Sequence, residues 1–106
     1  MFTITDGIAL EDSAIEERFV RAMGPDGRNA GRHATAVELR LDVNASSLPA
    51  DVKQRLIQSG GRHMTRDGVL VVVSRKYRSQ ARNRQAARDM LAALVRTAAA
   101  APRGEQ

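Results

Sequence analysis

At 106 residues the chain has room for one hydrophobic core and little room for two, because a core much below about 60 residues buries too little surface to be stable alone. The 42% hydrophobic content is ordinary for a globular protein, but with aromatics at 3% the core has to be built from Val, Leu, Ile, Ala and Met, and the net charge of +5 favours an acidic partner. The absence of cysteine excludes disulfides, thiolate zinc sites and a cysteine nucleophile. No apolar run approaches the roughly 20 residues of a membrane helix, and the N-terminus carries acids where a targeting peptide carries bases, so a cytoplasmic protein is expected.

Residues 2–15 mix polar residues with short apolar pairs and predict an irregular lead-in with one helical turn near Glu11 to Ile15. Glu16 to Met23 predicts a short strand entering the loop Gly24-Pro25-Asp26-Gly27-Arg28, where Pro and Gly interrupt any ladder. From Ala34 to Val43 the alternation is clean, with Val37, Leu39, Leu41 and Val43 on one face and Glu38, Arg40 and Asp42 on the other, which is a strand with one buried side. A helix follows, with Pro49 in its first turn, Asp51 complementing the dipole, and Val52, Leu56 and Ile57 as its apolar side, until Gly60-Gly61 stops it.

Asp67-Gly68 marks a turn, and the continuous run Val69 to Val73 predicts a central strand covered on both faces. The last helix is capped by Ser79 and buries a stripe of Ala87, Met90, Leu91, Leu94, Val95 and Ala98, with Arg82, Arg84, Arg88 and Arg96 off the stripe. The fold class that follows is α+β: a small mixed or antiparallel sheet against two helices, in the order strand, loop, strand, helix, strand, helix. One domain over residues 1–101 is expected, with 102–106 as a frayed tail.

The charge is unevenly placed. The first 20 residues carry Asp6, Glu11, Asp12, Glu16 and Glu17 against a lone Arg18, whereas residues 75–88 carry Arg75, Lys76, Arg78, Arg82, Arg84 and Arg88 and no acid. Arginine grips phosphate through a planar fork, which makes a nucleic-acid partner more expected than for an average domain, while charge alone fits a solvated helix face with no partner equally well. His33 and His63 have no acid or nucleophile at a useful spacing, so neither a triad nor a metal site is expected, and no cofactor motif is present. Gly24-Pro25-Asp26-Gly27 matches the Gly-x-x-Gly loop of KH domains, but strand-like segments flank it where KH has helices. Reading of single-stranded RNA by stacking is disfavoured, because Tyr77 is the one aromatic in the basic region.

Several blocks in fixed order carry a more specific likeness. The run Arg21 to Arg32, continuing Thr35-Ala36-Val37-Glu38-Leu39-Arg40-Leu41-Asp42-Val43, then Ala45-Ser46-Ser47-Leu48-Pro49, Thr65-Arg66-Asp67-Gly68-Val69, and Tyr77-Arg78-Ser79-Gln80 with Asn83-Arg84, resembles the Gly-Gly-Gln domain of class I peptide release factors. It is most similar to the small ribosome-rescue hydrolases of the alternative rescue factor B type, over residues 3 to 97. The resemblance implies partners in ribosomal RNA and peptidyl-tRNA, hydrolysis of the ester joining peptide to tRNA, no cofactor, no metal and no membrane, and a monomer.

The positions matching Gly-Gly-Gln are Asp26, Gly27 and Arg28, so the first glycine and the glutamine are both replaced. Arg28 keeps a backbone N–H able to donate to a tetrahedral oxyanion but lacks the amide that would orient water. Asp26 puts a carboxylate near RNA phosphates and a Cβ where glycine has none. The resemblance further assigns RNA contacts to Arg21, Asn29, Arg32, Arg75, Lys76, Arg78, Arg82 and Arg84. The long Lys/Arg tail that bacterial members place in the empty message channel has no counterpart after the last helix. The alternative implied by the altered tripeptide is a non-catalytic module that docks on ribosomal or transfer RNA through the same cations.

Overall fold

The computed structural model describes residues 2–5, 7–20 and 35–100. The lead-in is more regular than its composition predicts. β1 (Phe2–Thr5) and β2 (Ile8–Leu10) form an antiparallel hairpin, with Phe2 opposite Leu10 and an irregularity between Thr3 and Thr5. Its apolar residues Phe2, Ile4 and Leu10 are all buried. The predicted helical turn is a 3-10 turn, Asp12–Ala14.

The main sheet has three antiparallel strands in the order β3 (Ile15–Val20), β4 (Ala36–Asp42), β5 (Val69–Ser74). β4 is central, which explains its alternation: Val37, Leu39 and Leu41 are wholly buried on the helix side, while Glu38 and Arg40 join Glu16 and Arg18 in an ion-pair ladder on the outer face. That ladder matches two acids with two bases.

β5 departs from the expectation of a central strand covered on both faces. It lies at the edge of the sheet, and burial alternates along it: Leu70, Val72 and Ser74 are buried, whereas Val69, Val71 and Val73 are only half-buried. A continuous run of valines looks the same whether one face or two is covered, because β-branched residues suit either environment. The free side of β5 is partly capped by a Met64–Leu70 bridge, and by the His63 ring, whose Nδ1 lies 3.2 Å from the Val71 carbonyl. A carbonyl only accepts, so Nδ1 donates there, and His63 acts as a structural strap.

α2 (Gln80–Ala100) organises the core. It packs on β4 and β5, carries the hairpin through β1, and receives α1 (Ala50–Ser59) on its flank. α1 therefore rests chiefly on α2 and does not lie beside it on the sheet. Ala87, Leu91, Val95 and Ala98 are buried as the periodicity predicts, with Val52 and Leu56 facing them from α1. Ile57, assigned to the apolar side of α1, is 37% exposed. Pro49 caps α1 from just outside the first turn, and its carbonyl accepts from the Lys53 N–H at 2.9 Å. Arg55 ties the two helices together by donating from Nε to the Ala98 carbonyl at 2.6 Å, while its Nη2 donates to Asp51 one turn back on α1 at 3.3 Å. No helix among the described residues is long and apolar enough to cross a membrane.

The strand register decides what shares one end of the sheet. Val20 is opposite Ala36, and Val37 is opposite Ser74. The connection 21–34 and the segment that follows β5 thus leave the sheet at the same edge, where α2 also begins.

Candidate functional site

At that edge the chain leaves β5 through Arg75, Lys76, Tyr77 and Arg78, all exposed, before Ser79 and the first turn of α2. Ser79 acts as the predicted cap: its Oγ accepts from the Arg82 N–H at 3.2 Å, and its carbonyl accepts from the Asn83 N–H at 3.0 Å. Such a cap satisfies one of the orphan donors of the first turn and fixes the direction in which the basic segment joins the helix.

Of the cations expected to meet RNA, Arg75, Lys76 and Arg78 form no ion pair with any described residue. Arg82 lays its guanidinium over the Tyr77 ring, 4.4 Å from the centroid, and the two border a shallow recess with Gln85, Ala86 and Asp89. The stack is a cation–π contact, and Arg82 remains exposed. Arg84 is engaged differently. Its Nε is 2.9 Å from Glu17 and its guanidinium lies 5.4 Å from the Phe19 ring, so it bridges α2 to the edge strand β3. Arg88, off the buried stripe, similarly covers Phe2 at 4.5 Å and sits 3.8 Å from Asp12. Both arginine side chains lay their guanidinium groups over an aromatic ring, Phe19 or Phe2, while pairing with a carboxylate.

The structure thus gathers Arg75, Lys76, Arg78 and Arg82 on one end, beside the stems of the connection 21–34. The remaining candidates, Arg21, Asp26, Gly27, Arg28, Asn29 and Arg32, and also His33, lie outside the described residues. No group of three or more metal-ligating side chains occurs among the described residues.

One residue of this end carries more than its sequence neighbourhood foretells. Asn83 is wholly buried, and its amide joins three separate stretches of chain. Oδ1 accepts from the Tyr77 N–H at 3.0 Å and from the Ser74 hydroxyl at 3.1 Å. Nδ2 donates to the Tyr77 carbonyl at 2.8 Å and to the Thr35 carbonyl at 2.7 Å. The signal was present in the sequence: Asn83 falls four residues before Ala87 on the buried stripe, and a polar residue there has to find partners.

Residues 3–106 match the family described as the RF-1 domain. The peptidyl-tRNA hydrolase ArfB of Pseudomonas putida is 41% identical over 95 residues, spanning 90% of this chain and 69% of that protein.

Proposed function

The chain belongs to the RF-1 domain family, and from that premise we propose that it acts at the ribosome in the cytoplasm and hydrolyses the ester of peptidyl-tRNA on stalled complexes. The observation that carries this reading is the 41% identity to a protein named peptidyl-tRNA hydrolase, sustained over 90% of the chain. The exposed cations Arg75, Lys76 and Arg78, with the stacked Arg82, support it as the surface for RNA phosphate.

In this reading Asp26, Gly27 and Arg28 occupy the place of the Gly-Gly-Gln tripeptide, and Arg21, Asn29 and Arg32 flank it with further RNA contacts. Attack of water on the ester carbon produces a tetrahedral oxyanion. The backbone N–H of Arg28 donates to it, a contribution of the kind whose loss costs about 10²–10³ in rate. Nothing in that step requires the side chain at position 28, so hydrolysis persists. Losing the glutamine amide that orients water lowers the rate by roughly 10²-fold, the scale of a misplaced reactant.

The altered tripeptide also favours a second reading, a module that docks without cleaving. Release of labelled peptide from ribosomes stalled on a truncated message separates the two. The first reading has the natural chain above the no-protein background and Asp26→Gly with Arg28→Gln faster still. The second has only the double variant above background.

A further inference from the structure

The amide of Asn83 uses its whole hydrogen-bonding capacity, two acceptor sites and two N–H donors, inside a helix packed on apolar neighbours. Packing alone would be met by Ala or Leu, as at Ala87 and Leu91 on the same stripe. Burying an amide costs free energy unless every valence is met, so an asparagine here has to be explained by what it holds. It holds backbone that belongs to no ladder. The N–H and C=O of Tyr77 are gripped together, as a neighbouring strand would grip them, and the Thr35 carbonyl is the last group before the chain enters β4.

We propose that Asn83 is a positioning residue for the reaction assigned above: its amide locks Thr35, the β4 stem of the connection 21–34, to Tyr77 in the cationic segment. The inference rests on the proposed hydrolase reading. Thr35 and Tyr77 are far apart in the chain and share no strand pairing, so nothing else among the described contacts ties these two backbones to each other directly. Fixing one against the other fixes where the chain enters β4, the C-terminal end of the connection that holds Asp26, Gly27 and Arg28 in sequence, relative to the RNA-facing segment. A small error in that placement is costly, because an approximately 1 Å misplacement at the reacting centre costs on the order of 10²-fold in rate.

Two substitutions separate positioning from mere support. Asn83→Asp keeps the acceptor for Tyr77 N–H and Ser74 but turns an oxygen toward the Thr35 and Tyr77 carbonyls, breaking the link with little change in volume. Ser74→Ala removes a buried hydrogen bond and leaves the link intact. The experiment compares both with the natural full-length chain, by thermal melting, by carbonyl ¹³C resonances and by single-turnover peptide release from stalled ribosomes.

The proposal expects the Thr35 and Tyr77 carbonyl resonances to move in Asn83→Asp only. It expects kcat to fall by roughly 10²-fold in that variant with KM changed less than about two-fold, and Ser74→Ala to release peptide like the natural chain at a temperature where all three are folded. It is overturned if Asn83→Asp releases as fast as the natural chain, or if both variants lose activity only in step with the fraction unfolded. Failure of the hydrolase reading looks different: the natural chain itself then stays at background, and the positioning role falls with it.

Discussion

Gly68 sits at φ 83 in the turn between Thr65 and Val69, where its carbonyl accepts from Val43, and a Cβ there would lie 3.0 Å from the Asn44 side-chain nitrogen. Gly68→Ala combines left-handed strain with that close approach and is expected to cost about 1–2 kcal/mol, read as a lower denaturant midpoint at an unchanged slope. The arginines divide by contact. Arg78 is exposed and forms no ion pair with a described residue, so Arg78→Ala is expected to leave the melting temperature unchanged while weakening ribosome binding and reducing the salt slope by about one. Arg84→Ala removes the Glu17 ion pair and the Phe19 stack, both partly screened by water. It is expected to cost less than about 1 kcal/mol of stability, a loss visible in melting experiments before any effect on binding. The sequence lists these arginines as equals; only the neighbours brought by β3 tell them apart.

Among the elements, α2 is the most legible, because nearly six turns of consistent spacing outweigh local accidents: of its predicted stripe Ala87, Leu91, Val95 and Ala98 are buried, and Met90 and Leu94 are partly buried against the core. Leu91, wholly buried at its centre, is expected to cost about 2–5 kcal/mol when replaced by Ala, measured by chemical denaturation. The alternation of β4 was equally direct, since a strand flanked on both sides with one covered face has to alternate. The valine run predicts β5 as a strand but not its place at the edge of the sheet. Strand order is a property of pairing partners, and the valine run carries no mark of them. The hairpin of β1 and β2 escaped notice because its strands are four and three residues long and its register shifts between Thr3 and Thr5, which destroys the period-two signal. At the candidate site the basic segment 75–78 was visible as charge. The linkage through Asn83 needed the fold, because it joins residue 83 to Thr35 across the sheet edge.

For the whole molecule, the charge asymmetry of the sequence becomes a spatial one. The outer face of the sheet is neutralised by its own ladder of Glu16, Arg18, Glu38 and Arg40, leaving cations concentrated where β5 runs into α2. Membership in the RF-1 domain family gives that end its meaning, and the altered tripeptide sets the question of rate. With Arg75, Lys76, Arg78 and Arg82 each meeting a phosphate, affinity for ribosomes is expected to fall roughly 10²-fold between about 50 and 200 mM salt, as measured by sedimentation of the bound fraction. The central claim is tested most directly by single-turnover release of labelled peptide from ribosomes stalled on a truncated message, with the natural chain beside the Asp26→Gly, Arg28→Gln variant. Release by the natural chain is expected above the no-protein background, and release by the variant is expected to be faster by roughly 10²-fold. Background rates from both, with the ribosome bound, would contradict that claim.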